Sequence, residues 1–160
     1  MAGVGFDAHV AACFDRDLSG RRRLSGYIRV AARELLTYRS QTYRIHGHPG
    51  GTARRALLVT IANASQFGNG ARIAPGARVD DGRLDLVVVE ERSRATTIAA
   101  LPALFTGRIA RVAGVSIRQV EQVTIEADCP MDFHVDGEPA TGGTRLEARV
   151  HPAALQVCVG

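Results

Sequence analysis

Apolar positions along this chain switch from a helical to a strand-like period and back. Between Ser25 and Tyr38 the residues Tyr27, Val30, Ala31, Leu35 and Tyr38 recur at three and four, which places them on one face of a helix starting near Ser25 and Gly26. Thr42 to His46 reads as a short strand, His48-Pro49-Gly50-Gly51 as a turn, and Arg55 to Ala62 as a strongly apolar strand, so the three together predict a hairpin. Gln66 to Val79 carries Gly68, Gly70, Pro75 and Gly76 and is expected to be a long irregular loop, a kind of segment that tends to be functional. Leu84 to Val89 is a continuous apolar run, typical of a strand covered on both faces. Ser93 is placed to cap a following helix through Leu104, which Pro102 should end or bend. Val115 to Val120, Val123 to Ala127, Met131 to Val135, Arg145 to Val150 and Leu155 to Val159 then read as strands, separated by turn signals at Asp136-Gly137, Gly142-Gly143 and Pro152. Many short strands with only two helices predict a mainly β fold. The expected architecture is a two-layer antiparallel β-sandwich or distorted barrel, with residues 1–160 forming one domain.

Composition narrows the functional classes. The 160 residues (17.1 kDa, 46% hydrophobic) suffice for one real core, and no run of eighteen apolar residues occurs. The first residues show neither the basic region nor the apolar stretch of a signal peptide, so a cytoplasmic protein is expected. Cys13, Cys129 and Cys158 are odd in number and lack metal-type spacing, and read as reduced, mostly buried small hydrophobes. The net charge of +4 and pI near 9.5 come mostly from arginine. The densest run, Arg21-Arg22-Arg23, has no interleaved aromatics, which argues against a base-stacking surface and hence against a nucleic-acid partner. A solvated face or contact with acidic lipid headgroups are the readings left for it.

Three segments could carry chemistry. In Arg78-Val79-Asp80-Asp81-Gly82-Arg83-Leu84-Asp85, carboxylates flank a glycine just before a buried strand; such a turn can hold a hard cation through carboxylate and main-chain oxygens, although an Asp-Gly turn is also common for backbone reasons alone. Val135-Asp136-Gly137-Glu138 brings two carboxylates together after a strand, an arrangement suited to general acid/base work or simply to a hairpin turn. Asn63-Ala64-Ser65-Gln66-Phe67-Gly68-Asn69-Gly70 looks somewhat like a phosphate-cradling loop, but has neither the lysine nor the following helix of a P-loop, and Ser65 lacks a nucleophile elbow. His46 and His48 form a two-residue pair, and neither a cysteine nor a third histidine, His134 included, is placed beside it at a zinc-like spacing.

Taken in order, these segments resemble one known pattern, the C-terminal domain of the bacterial diacylglycerol kinase and sphingosine-kinase-like lipid kinase family. Gly5-Phe6-Asp7-Ala8 is similar to its Gly-Phe-Asp-Ala, and Gly26-Tyr27 begins a helix where the family has one. Ala62-Asn63, Phe67-Gly68-Asn69-Gly70 and Ile73-Ala74-Pro75-Gly76-Ala77 resemble its glycine-rich and Ala-Pro-x-Ala segment. Asp81-Gly82-Arg83-Leu84-Asp85 resembles its Asp-Gly-x-Leu-Asp, and Asp136-Gly137-Glu138-Pro139 its Asp-Gly-Glu-Pro. The resemblance implies a β-sandwich packed against a separate nucleotide-binding domain. It makes Glu138 the base that takes the proton of a lipid hydroxyl, with Asp136 supporting it. It also gives a cation, Mg²⁺, held by the Asp81 side chain and by main-chain carbonyls that fall by position on Arg78 and Arg83, with a further Mg²⁺ travelling with ATP. The implied partners are diacylglycerol or a similar lipid, ATP and the nucleotide-binding domain; the inner-membrane surface and a second copy of the chain are further partners this reading admits. Ala64 and Asn69 depart from the usual glycines, and the Gly-Gly-Asp-Gly-Thr phosphate motif of the nucleotide-binding half is absent. Met1 falls near the family's domain junction, so a truncated or divided gene product is expected, inactive by itself. The competing readings are a lipid-binding module without catalysis and a related kinase acting on a non-lipid acceptor such as NAD.

Overall fold

The computed structural model describes residues 1–16, 24–46, 53–68 and 70–154. In chain order they form β1 (Ala2–Gly5), α1 (Phe6–Arg16), α2 (Leu24–Leu35), β2 (Gln41–His46), β3 (Ala53–Ala62), β4 (Leu84–Glu90) and α3 (Arg94–Phe105), then a short 3₁₀ turn at Ile109–Arg111. β5 (Val115–Val120), β6 (Gln122–Ala127), β7 (Asp132–Val135), β8 (Glu138–Thr141) and β9 (Arg145–Arg149) follow. The mainly β expectation holds, as nine antiparallel strands in one curled sheet, a half-barrel whose arms enclose the core. Among the described residues there are three α-helices rather than the two expected. The extra one, α1, follows β1 without a break, so its short helical pattern was masked by the strand-like start. Helix α3 runs past Pro102 to Phe105, one residue beyond the expected Leu104, and is capped at its start by Ser93 Oγ accepting from the Thr96 N–H at 3.2 Å. The predicted turn at His48–Gly51, the strand at Leu155–Val159, the Arg21–Arg23 run, Asn69 and Cys158 lie outside the described residues.

The sheet is organised by β3. One edge pairs with β4 from Ala56 to Ala62; the other pairs with β2 over Ala53–Ala56 and with β1 over Leu58–Ile61. The sheet therefore forks, one arm continuing through β1, β7 and β8 and the other through β2, β6 and β9. The fork falls where the β3–β4 register shifts between Ala56 and Leu58, and such irregularities bend and twist a strand. Between the arms sits the main core, including Val4, Tyr43, Val59, Leu86, Val123 and Ile125. The outer face of β4 and β5 is covered by Ile73 and Ala74 of the long loop and by Ile109, with Ala103 and Leu104 of α3 packed alongside. This explains why Leu86 to Val89 is apolar without alternation: both faces of β4 are covered. The opposite side of α3 leaves Ile98, Leu101 and Phe105 exposed. No helix among the described residues is long and apolar enough to cross a membrane.

Gly5 makes the fork sterically feasible. Its φ is +97°, and a Cβ there would lie 2.7 Å from the Leu57 carbonyl oxygen and 3.3 Å from the Tyr43 hydroxyl. Gly5→Ala should destabilise the chain by about 3 kcal/mol in urea denaturation, from combined backbone strain and overpacking. Gly76→Ala, whose Cβ would meet nothing within 4 Å, should be neutral or slightly stabilising. Equal losses in the two variants would contradict the steric argument.

Candidate active site

Strand register collects the candidate residues at one end of the sheet. Val135, Ala2, Ile61, Leu86 and Arg118 are partners in a single row across β7, β1, β3, β4 and β5. Just beyond this row lie the Asp136-Gly137 turn, Met1, the start of the long loop at Asn63, and the Asp81-to-Asp85 segment. The two acidic turns thus share a rim without touching. Three interstrand steps separate β7 from β4, roughly 14 Å along the sheet. The structure does not bring the expected base and the expected cation turn into one constellation.

At the first turn, Asp136 and Gly137 form a two-residue hairpin loop with φ of 50° and 88°, between the paired residues Val135 and Glu138. Two consecutive positive φ values are the hairpin geometry that Asp-Gly favours. The Asp136 N–H donates to the Met1 carbonyl at 2.8 Å, and the Met1 amine donates to Asp136 Oδ1 at 2.7 Å. Asp136 and Glu138 are both exposed. Because paired residues of antiparallel strands share a face, Glu138, Val135, Phe133 and Ala140 lie on one side of the hairpin, and His134 and Pro139 on the other. On the Glu138 side, Phe133, Met131, Gly142, Gly143 and Leu146 line a cleft of about 260 Å³ between the arms. Gly142 belongs there because a Cβ would come within 3.1 Å of the Phe133 ring.

At the second turn, Asp81 Oδ1 accepts from the Arg83 N–H at 2.9 Å and Oδ2 from the Gln119 side-chain amide at 3.0 Å. Gly82 follows with φ of +67°. The Arg78 guanidinium bonds Asp80, which holds the Asp80 carboxyl below its ordinary value. Asp85, next along the strand, is only 5% exposed. Burial first, and then the negative charge of Asp81, push its carboxyl above the ordinary value. A hard cation fits this donor set: the Asp81 oxygens retain lone pairs beyond their two bonds, and a positive charge would ease ionisation of Asp85.

Sequence reasoning passed over a third group. Asp7, Thr60 and His134 are buried together, and hydrogen-bonded, on the side of the hairpin opposite Glu138. The signal available was Gly3-x-Gly5-Phe6-Asp7, a carboxylate directly after a strand with two small residues. A further cluster ties α1 to α2: His9 Nε2 meets Glu34 Oε2 at 2.9 Å and Cys13 Sγ at 3.7 Å. The His9 bond, then Arg33, lowers the Glu34 carboxyl from its ordinary value, while burial raises the Cys13 thiol. Of the cysteines expected to be buried, Cys13 is half-buried and Cys129 is exposed. Cysteine lost its expected place at Cys129 because that residue sits between β6 and β7, outside the enclosed core. His46 is paired with Glu126 at 3.1 Å on the surface.

Comparison with known proteins agrees with this architecture. Residues 1–159 match the family described as the YegS C-terminal NAD kinase beta sandwich-like domain. A diacylglycerol kinase of Mycobacterium tuberculosis is 30% identical over 98% of this chain and 50% of its own length. A probable lipid kinase YegS-like of Pseudomonas aeruginosa is 31% identical over 98% of this chain and 51% of its own. The chain therefore spans about half the length of the curated relatives it matches. In fold, a crystal structure of a diacylglycerol kinase described as putative, from Bacillus anthracis, superposes with a TM-score of 0.55 at 18% identity, over 96% of this chain and 53% of that one.

The raised carboxyl of Asp85 has a measurable consequence. Folding favours its protonated form, so between the ordinary value of about 4 and the raised folded value stability should fall as pH rises. Thermal unfolding in divalent-free buffer should show Asp85→Asn gaining on the parent chain as pH is raised from about 4 to about 6. Parallel pH profiles would remove Asp85 from this role.

Proposed function

The chain belongs to the YegS C-terminal NAD kinase beta sandwich-like family, and from that premise we propose that it is the acceptor-side domain of an ATP-dependent lipid kinase acting on diacylglycerol or a similar lipid. Glu138 takes the proton of the lipid hydroxyl as its oxygen bonds to the γ-phosphorus of ATP and the bond to ADP breaks. Asp136, its N–H held by the Met1 carbonyl, fixes the turn from which Glu138 departs. ATP is held by a nucleotide-binding domain facing the rim. Phosphoryl transfer asks mainly for positioning and charge neutralisation, so a base on one domain and a phosphate cradle on another is a workable division.

The observation that supports this reading most directly is the shared face of Glu138, Val135 and Phe133. Val135 is 47% exposed and Phe133 lines the interarm cleft, so an apolar lane leads to the carboxylate. A lipid can lay hydrocarbon along that lane while presenting its hydroxyl at the rim. Asp81, with the main-chain carbonyls of Arg78 and Arg83, would hold Mg²⁺. These residues lead into β4, four interstrand steps or roughly 19 Å along the sheet from the strand of Glu138, so a cation bound there would supply charge compensation and bracing at β4.

Assayed together with its nucleotide-binding half in diacylglycerol mixed micelles, Glu138→Gln should lower kcat by about 10²- to 10⁴-fold and leave the lipid KM within roughly twofold. Unchanged turnover would take Glu138 out of the base role. For the cation, millimolar Mg²⁺ should raise the Tm of the parent chain and not that of Asp81→Ala. The same rise in both would place any bound ion elsewhere.

A further inference from the structure

The buried group behind the hairpin is built with unusual economy. Gly3 of β1 is the register partner of both Thr60 on β3 and His134 on β7, so these three form a row across the sheet. Thr60 and His134 are two strands apart, about 10 Å between backbones, too far to bond each other directly. Asp7, in the first turn of α1, fills the gap by resting its carboxylate over Gly3. Thr60 Oγ1 donates to Asp7 Oδ2 at 3.0 Å, His134 Nε2 meets the same oxygen at 3.2 Å, and the Ala8 N–H donates to Oδ1 at 2.9 Å. A Cβ on Gly3 would stand 2.2 Å from that oxygen and 2.7 Å from His134 Nε2. The glycine is the space into which the carboxylate fits.

The bonding also sets the imidazole tautomer. A carboxylate only accepts, so Nε2 carries the hydrogen; Nδ1 is then a bare acceptor. What it accepts is the N–H of Gly137 at 3.4 Å, the residue between Asp136 and Glu138. A doubly protonated ring would set N–H against N–H there. The exposed turn is therefore linked through the imidazole to a carboxylate that is itself 6% exposed and held by two strands and a helix.

We propose that His134, oriented by Asp7 and Thr60, is a positioning residue that fixes the Asp136-Gly137-Glu138 turn through its Nδ1 acceptor. This rests on the reading of Glu138 as the base, which it deepens. His134 lies on the opposite face of the hairpin from Glu138. It acts on the main chain of the turn alone. Similar second-layer partners that lock a reactive group in place are what separates a rigid site from a loose one.

Two substitutions separate positioning from core filling. Asparagine can set its Oδ1 near the place of Nδ1 and keep the Gly137 bond, whereas glutamine reaches toward Asp7 with its amide and leaves Gly137 without an acceptor. With the nucleotide-binding half present, His134→Gln should lower kcat roughly tenfold with lipid KM little changed, and His134→Asn should stay within about threefold of the parent. In the 160-residue chain, imidazole ¹⁵N shifts should identify Nδ1 as the unprotonated nitrogen. Gly137 amide exchange should speed up in His134→Gln but not in His134→Asn. Equal behaviour of the two variants, or a protonated Nδ1, would overturn the proposal. If instead the amide and ¹⁵N results hold while Glu138→Gln turns over normally, His134 still fixes the turn and the base assignment is what fails.

Discussion

A strand has two hydrogen-bonding edges, and no stretch of one edge can serve two neighbours at once. β3 meets this limit by dividing one edge, with β2 on its first half and β1 on its second, while β4 runs along the other. Two arms must then diverge from the point of division, and the space between them becomes the core. The division demands close backbone approach, which Gly5 permits and a side chain at that position would block. The interarm cleft, the rim and the placement of α1 all follow from that one partition.

The same geometry settles how charge is distributed at the rim. The exposed carboxylates of the hairpin turn and the Asp81 turn end up at one end of the sheet, separated by the intervening strands β1 and β3. At such a distance, with water between exposed groups, their mutual repulsion is weak. The costly charges lie elsewhere. Asp85 is buried beside Asp81, and Asp7 is buried where three donors meet it. Asp7 is fully answered by the protein; Asp85 is the carboxylate that a cation would help. A buried carboxylate persists only with such compensation.

Much of the fold was legible along the chain. Strands β2 to β7 and β9, helix α2 and the Ser93 cap could be read from period and turn residues because each follows a local rule that tertiary contacts did not override. β1 and α1 were not separable, since four strand residues run directly into a helix and neither is long enough to show its period. Helix α3 ends at Phe105, one residue past the Leu104 expected and within a turn of Pro102, which lacks the N–H that would bond the carbonyl four residues earlier. Asp136 and Glu138 were identifiable as candidates from residue type and order. Their places in the hairpin, with Glu138 on the face it shares with Phe133 and Gly137 tied to His134, were not.

Sequence alone determined the mainly β class, the two acidic turns and the resemblance to lipid-kinase C-terminal domains, because turn chemistry and hydrophobic period are properties of neighbouring residues. Only the tertiary structure decided that the turns share a rim yet stand apart, and that Asp7, Thr60 and His134 form one network. Those facts depend on strand register between residues as distant as Gly3 and His134. Pairing partners are chosen by the collective burial of a whole sheet, and no local pattern records that choice.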